Sequence, residues 1–181
     1  MPAMSPCVTA DMVRAMPEDG NRYEVVDGEL LVSPAPRGWH QVLVGRLFRE
    51  LSDYLDEHRV GFALFSPADI SWSLVDLVQP DLFVVPLEDA RGLEWEGMKR
   101  LLLVAEVLSP STARADRLTK RRLYQRHQIP LYWIVDGDSR QVEIWTPEQD
   151  IPVVERHELR WQPDASVPAL VLSLDRLFRP V

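Results

Sequence analysis

Two carboxylates occupy positions in this sequence that are unusual for acids. Glu106 lies inside the apolar run of residues 101–108, and Asp81 follows Pro80 directly at the start of another apolar run. A carboxylate within a buried strand is costly unless it is paired or holds a cation, so Glu106 is a candidate functional residue. If the two strands are neighbours in a sheet, both carboxylates face one point and offer the oxygen ligands that Mg²⁺ prefers.

Lys120 is the candidate cation beside these acids. It lies on a helix predicted over residues 113–127, directly after the strand that carries Glu106. A metal ion held by two acids lowers the pKa of a bound water and polarises a phosphate, and a nearby lysine neutralises developing charge or orients the nucleophile. The two acids and the lysine are therefore candidates for the hydrolysis of a phosphate ester.

A βαβ unit over residues 101–136 must position these side chains. Apolar runs with β-branched residues at both ends are typical of buried strands, and the basic segment between them is predicted to be a helix. The hydroxyls of Ser109-Pro110-Ser111-Thr112 suit the N-cap of that helix.

The rest of the chain is predicted to alternate between strands and helices. Asp27-Gly28 separates the short apolar runs 23–26 and 30–32, which indicates a β-hairpin. Apolar residues at helical spacing predict a long helix over residues 39–58. Further strands are predicted over residues 61–65, 69–74, 81–86, 141–146 and 153–159, and a short helix over residues 10–16.

The length of 181 residues suits one domain, which we place at residues 21–181 after a loosely ordered lead-in, residues 1–20. No apolar run approaches the ~18 residues of a membrane-spanning helix, and the N-terminus lacks the features of a secretory signal. The single cysteine, Cys7, cannot form an internal disulfide, which fits a reducing compartment. We therefore expect a cytoplasmic protein.

The net charge of −8 argues against a general nucleic-acid coat protein, because phosphate binding depends on clustered Lys and Arg. Residues 114–126 are the exception, with six basic residues and one acid, a local charge of +5. This segment is either a solvated helix face or a source of phosphate contacts.

Four sequence elements together resemble the PD-(D/E)XK nuclease superfamily, and more closely a small bacterial family described as restriction endonucleases of unknown function. They are Gln79-Pro80-Asp81, the segment Glu106-Val107-Leu108-Ser109-Pro110-Ser111-Thr112, the spacing Asp116…Lys120…Tyr124, and Tyr132-Trp133-Ile134-Val135-Asp136. The similarity extends over residues 22–146 and includes Asp27-Gly28-Glu29 and Ser33-Pro34-Ala35-Pro36.

The resemblance implies a restriction endonuclease-like α/β (α+β) fold: a mixed β-sheet flanked by helices, with an N-terminal β-hairpin. It also implies Mg²⁺-dependent or Mn²⁺-dependent hydrolysis of nucleic-acid phosphodiester bonds, with DNA as the expected substrate. Asp81 matches the first acid of the pattern and Glu106 the second. Leu108 stands where the pattern has its lysine, so the resemblance carries that role to Lys120. Glu29 matches a further acidic position and is a candidate metal ligand with Asp81 and Glu106.

Each assignment has a structural alternative. Asp81 could cap a strand or a turn, and Glu29 could be an ordinary hairpin residue. Glu106 and Lys120 could form a buried ion pair without a catalytic role. Lys120 could also pair with Asp116 on an exposed helix face.

Two other functions stay open at this stage. One is a binding or scaffold protein that keeps the nuclease fold with little or no activity. The other is a metallohydrolase of small phosphoesters. His40, at the head of the long helix, either reaches the site or only begins the helix. Edge strands and apolar hairpins leave room for a homodimer.

Overall fold

The structure is a computed structural model that describes residues 7–181. The first six residues of the predicted lead-in lie outside the described part of the chain. The strands are β1 (Arg22–Val26), β2 (Glu29–Ser33), β3 (Phe62–Phe65), β4 (Ile70–Ser73), β5 (Asp76–Val78), β6 (Leu82–Val85), β7 (Leu103–Val107), β8 (Tyr132–Asp136), β9 (Gln141–Trp145), β10 (Val153–Glu155), β11 (Glu158–Trp161) and β12 (Leu170–Ser173). The helices are α1 (Ala10–Arg14), α2 (Gly38–His58), α3 (Leu87–Ala90), α4 (Arg121–Arg126) and α5 (Leu174–Leu177), with a 3₁₀ turn at Trp95–Gly97.

The larger sheet has the strand order β10-β9-β8-β7-β6-β3. The pair β7 and β8 is parallel and the other pairs are antiparallel, so the sheet is mixed. The parallel pair, with the helical segment between its strands, is the predicted βαβ unit. A parallel pair requires such a crossover, which is why the basic helix lies across one face of this sheet.

A smaller sheet, with the order β2-β1-β5-β4, contains the predicted hairpin. Asp27 and Gly28 have φ angles of 52° and 77°, and they close a two-residue turn in which Val26 pairs with Glu29. Gly suits this turn because it adopts positive φ without steric cost. The strands β11 and β12 form a third, two-stranded sheet.

Two apolar layers enclose the larger sheet. The helix α2 buries Leu43, Leu47 and Leu51 against one face, together with β11 and β12. The other face packs against the smaller sheet and α4. Alternation along β7 gives Ala105 and Val107 to the α2 face, so the side chain of Glu106 lies on the opposite face, towards α4 and β1.

Two sequence-based boundaries differ from the structure. The helix predicted over residues 113–127 begins with a π-helical turn, Ala115–Lys120, before α4. The strand predicted over residues 153–159 is two strands, β10 and β11, which belong to different sheets. Within residues 7–181, each helix is too short or too polar to cross a lipid bilayer.

Candidate active site

Asp81 and Glu106 are neighbours because β6 and β7 pair antiparallel, with Leu82 opposite Ala105. The Asp81 backbone N–H donates to Glu106 Oε2 at 3.3 Å, and the Val107 backbone N–H donates to Asp81 Oδ2 at 2.9 Å. The sequence analysis assumed that the strands of Asp81 and Glu106 are neighbours, and the structure shows that they are. Both side chains are buried, with 4% of Asp81 and 1% of Glu106 exposed.

Two cationic or hydrogen-bonding side chains from distant elements hold the Asp81 carboxylate. Arg22 on β1 donates to Oδ1 from both Nη1 and Nη2 at 2.9 Å, and it also donates to the Gln79 carbonyl at 2.8 Å. His40 on α2 lies with Nε2 2.9 Å from Oδ2. Burial alone would raise the pKa of Asp81, but the His40 hydrogen bond and the Arg22 charge lower that pKa below its usual range. Asp81 is therefore ionised.

Lys120 lies at the centre of three buried carboxylates. Its Nζ is 2.9 Å from Glu24 Oε2, 3.0 Å from Glu106 Oε1 and 3.5 Å from Asp116 Oδ1. Burial would lower the pKa of Lys120, but the charges of Glu106, Glu24 and Asp116 outweigh burial and raise it. Lys120 is therefore a buried ammonium ion, and its pairing with Asp116 occurs inside the protein rather than on an exposed face.

The π-helical turn brings Asp116 and Lys120 to this position. The Arg121 backbone N–H reaches back to the Asp116 carbonyl, which is the i→i+5 bond of a π turn, and the Tyr132 hydroxyl donates to the same carbonyl at 3.1 Å. Tyr124, one turn further on, donates its hydroxyl to Glu106 Oε1 at 3.0 Å. Single π turns inside helices are frequent at functional sites.

Acids outnumber cations in this buried cluster. The four acids Glu24, Asp81, Glu106 and Asp116 face two cations, Arg22 and Lys120. Burial raises the pKa of Glu106 well above its usual range, and although Lys120 opposes this, the charges of Asp81, Asp116 and Glu24 add to it. Burial likewise raises the pKa of Asp116 to about 6 despite Lys120. The cluster therefore favours uptake of a proton or a cation.

The donor set fits a divalent cation that keeps most of its water shell. Among residues 7–181, no three side chains of His, Cys, Asp or Glu converge in a way that could hold a metal ion by themselves. Mg²⁺ is usually bound through one or two carboxylates together with waters and substrate phosphates, so the pair Asp81 and Glu106 suffices. Asp116 Oδ1 is buried and has no hydrogen-bond partner in the described structure, although Lys120 Nζ lies 3.5 Å away.

Glu29 is not brought to this cluster. It is exposed at the start of β2, and it does not line the cavity in front of Asp81 and Glu106. Glu24, on the preceding strand, contacts Lys120 instead, and its other oxygen accepts from the Gln79 backbone N–H at 2.7 Å. His40 does reach the site.

Sequence reasoning missed Glu24 and Arg22. Glu24 gave the same signal as Glu106, since it is an acid within an apolar run, Tyr23-Glu24-Val25-Val26. Arg22 gave no local signal, because its partner Asp81 is 59 residues away in the chain.

A cavity of about 200 Å³ opens onto the cluster. Two loops form its walls, residues 33–37 before α2 and residues 109–112 after β7, and Asp81, Glu106 and Lys120 line its floor. The hydroxyls in the second loop bond to one another: Ser109 Oγ lies 2.9 Å from Ser111 Oγ and 3.1 Å from Thr112 Oγ1. The cavity thus opens between a proline-rich loop and a hydroxyl-rich loop.

Comparisons with known proteins identify the family and the fold of the chain. Residues 10–175 match the model of the Uma2 family, described as "Putative restriction endonuclease". A crystal structure of a "putative nuclease belonging to DUF820" from Anabaena variabilis ATCC 29413 superposes with a TM-score of 0.72 at 22% identity, covering 94% of this chain and 97% of that chain. This likeness shows a restriction endonuclease-like fold. No curated protein matches the chain significantly.

Proposed function

The chain belongs to the Uma2 family, and we propose that it is a nuclease that hydrolyses the phosphodiester bonds of DNA with the help of Mg²⁺ or Mn²⁺. The observation that carries the proposal is the pairing of Asp81 and Glu106 across β6 and β7, with Lys120 3.0 Å from Glu106, at the floor of one cavity. Two carboxylates on neighbouring strands, with a lysine beside them, are groups that suit metal-assisted hydrolysis of a phosphodiester.

Asp81 and Glu106 would hold the metal ion. When bound, the metal would supply a water of lowered pKa and a positive charge beside the phosphate. Arg22 and His40 fix the orientation of the Asp81 carboxylate through their hydrogen bonds. We leave Glu29, which the family resemblance suggested as a metal ligand, out of the proposed metal site because it is exposed and does not line the cavity.

Lys120 has two tasks in this proposal. It keeps Glu106 close to Asp81 by balancing the charges of Glu24 and Asp116. Lys120 also lines the cavity, so its charge can stabilise the negative charge that develops on the phosphate during hydrolysis.

The test is cleavage of supercoiled, linear and branched DNA, with RNA in parallel, in Mg²⁺ and in Mn²⁺. We expect Asp81→Asn, Glu106→Gln and Lys120→Ala each to reduce the rate by about 100-fold or more. Glu148→Gln changes an exposed acid elsewhere and is the control. Metal-dependent cleavage that survives Asp81→Asn or Glu106→Gln would overturn the assignment.

A scaffold protein is the second candidate function, favoured by one observation. Each carboxylate oxygen of Asp81 and Glu106 already has a protein donor: Arg22 at Asp81 Oδ1, Val107 and His40 at Oδ2, and Lys120 and the Asp81 backbone at the two oxygens of Glu106. Such a network can be purely structural. Saturable Mn²⁺ binding that disappears in Glu106→Gln contradicts the scaffold function, and its absence in the native protein supports it.

The cellular setting belongs to the proposal as well. A homodimer and a cytoplasmic location rest on the sequence alone, through its edge strands and its single cysteine. Sedimentation of the purified protein tests the first.

A further inference from the structure

The basic residues on the helix after β7 are mostly occupied within the protein. Arg117 pairs with Glu143 and Asp136, and Lys120 is buried among acids. Arg126 pairs with Asp27 and Asp76, while Arg121 stacks over the Trp145 ring with its guanidinium carbon 4.5 Å from the ring centroid. Acids of the protein thus neutralise Arg117, Lys120 and Arg126, whereas Arg114 and Arg122 are exposed. Only part of the charge that a polyanionic substrate requires is left on this segment, so we looked for a second basic surface.

That charge lies on α2. Residues 30–49 contain no acid and three arginines, in a chain with a net charge of −8. We define the α2 basic face by its exposed or half-buried side: Arg37, Gly38, Gln41, Gly45, Arg46 and Arg49. Arg37 directly precedes the helix and lines the catalytic cavity.

The far end of the α2 basic face joins a second arginine group. Arg46 donates to the carbonyl of Leu177 at 2.9 Å, which holds the C-terminal segment beside α2. A groove of about 170 Å³ there is lined by Arg46, Arg49, Arg176 and Arg179, against the acids Glu50 and Asp53. Arg176 pairs with Glu50 at 3.2 Å, and with Arg37 the five arginines still exceed the two acids by three charges. Among residues 7–181, neither Arg37 nor Arg49 forms an ion pair.

Two glycines on this face, Gly38 and Gly45, leave the helix backbone uncovered by side chains at their positions. A Cβ added at Gly38 or Gly45 would meet nothing within 4 Å, so no internal contact requires glycine at either position. Glycine inside a helix is unfavourable, but it permits the close approach of a ligand to the backbone. The glycines therefore suit a ligand that lies along the helix, and the arginines suit one with negative charge.

We propose that the α2 basic face binds the sugar-phosphate backbone of the nucleic acid that flanks the scissile phosphate. This inference rests on the proposed function, since the bound strand is the nuclease substrate. From Arg37 to Arg49 the helix rises roughly 18 Å, which spans several phosphates. The strand leaves the catalytic cavity past Arg37, runs over Gly38 and Gly45, and ends at the groove beside Arg49.

The test is equilibrium binding of fluorescein-labelled single-stranded and duplex DNA in EDTA, where no metal-dependent cleavage occurs, over a range of salt concentrations. We compare the native protein with Arg37→Ala, Arg49→Ala and Gly45→Gln. Arg91→Ala removes an exposed arginine outside this face and is the matched control. Thermal melting of every variant confirms folding, and we expect Gly45→Gln to melt above the native protein.

The proposal predicts that each arginine variant lowers the slope of log K against log salt concentration by about one. It also predicts that Gly45→Gln binds DNA more weakly than the native protein and that Arg91→Ala binds as the native protein does. Salt slopes that equal the native value in Arg37→Ala and Arg49→Ala overturn it, as does an equal loss in Arg91→Ala. A native protein that binds neither DNA also overturns it and directs attention to an acidic protein partner. Binding through this face without any cleavage by the native protein supports this inference and contradicts the nuclease proposal instead.

Discussion

Lys120 balances three buried carboxylates, so we expect its removal to destabilise the fold in addition to any effect on the proposed activity. In Lys120→Met, Glu24, Glu106 and Asp116 lose their shared cation. We expect a loss of about 3–5 kcal/mol in the free energy of unfolding at about pH 8, and a smaller loss at about pH 5. The difference arises because Glu106 and Asp116, whose pKa values are raised, take up protons at the lower pH.

Urea unfolding at the two pH values measures this effect. Lys99→Met, at an exposed lysine, is the control and is expected to be neutral. An equal loss at both pH values would contradict the account, since protons would then not be replacing the lysine charge.

Asp116 gives a pH dependence of its own. Its pKa is raised from 3.8 to about 6, so the folded state binds more protons than the unfolded state between these values. The stabilisation is thus complete below about pH 4, and it is lost as the pH rises through about 6, up to about 3 kcal/mol in total. In Asp116→Asn this part of the pH dependence disappears. Unfolding curves in metal-free buffer measure it, and parallel pH profiles for the two proteins would contradict it.

The burial and pairing of individual acids were predictable where these acids interrupted an apolar run. Glu106 and Asp81 stood out because an acid in a buried strand needs a partner. The antiparallel register of β6 and β7 places the two acids next to each other. Glu24 gave the same signal, but family resemblance pointed to Glu29, which the fold leaves exposed. The role of His40 could not be read from its position, because it depends on how α2 docks on the sheet.

At the scale of elements, the docking of α2 depends on a glycine in the turn between β8 and β9. A Cβ on Gly137 would lie 2.7 Å from Leu43 Cδ1 and 2.8 Å from Trp39 Nε1. In Gly137→Ala either the side chains of Leu43 and Trp39 or the start of α2, which carries His40, must shift. We expect a loss of about 1–3 kcal/mol and reduced cleavage.

Gly45→Ala on the same helix is the matched control for Gly137→Ala. Nothing lies within 4 Å of its added Cβ, so we expect a gain of about 1 kcal/mol. Urea unfolding compares the two variants. A neutral Gly137→Ala would show that the turn adjusts without moving α2.

The helix after β7 shows why an element can be predicted while its geometry is not. Its position between two apolar strands followed from the pattern, and the structure confirms the βαβ unit. The π turn could not be predicted from that pattern. The residue that it inserts into the helix is accommodated by contacts with residues distant in sequence: Lys120 with Glu24, and the Tyr132 hydroxyl with the Asp116 carbonyl. The division of residues 153–159 into β10 and β11 is likewise set by two sheets rather than by local pattern.

For the molecule as a whole, the site joins parts of the chain that are far apart. Arg22 comes from the smaller sheet, His40 from α2, Asp81 and Glu106 from the larger sheet, and Lys120 from the π turn. A cation bound at Asp81 and Glu106 would therefore stabilise the whole fold rather than one loop. Binding to the folded state alone raises the free energy of unfolding by about 2.7 kcal/mol at a metal concentration 100 times the Kd.

For a chain of this size, that gain corresponds to an increase of roughly 5–10 °C in melting temperature. We expect this increase with Mn²⁺ or Mg²⁺ in the native protein and in Glu148→Gln, whose exposed acid lies outside the cluster. Asp81→Asn and Glu106→Gln should show no increase, because each removes one of the two metal-binding carboxylates. An equal increase in all four proteins would mean that the metal binds elsewhere, and no increase in the native protein would favour a scaffold held together by Lys120 and its three acids.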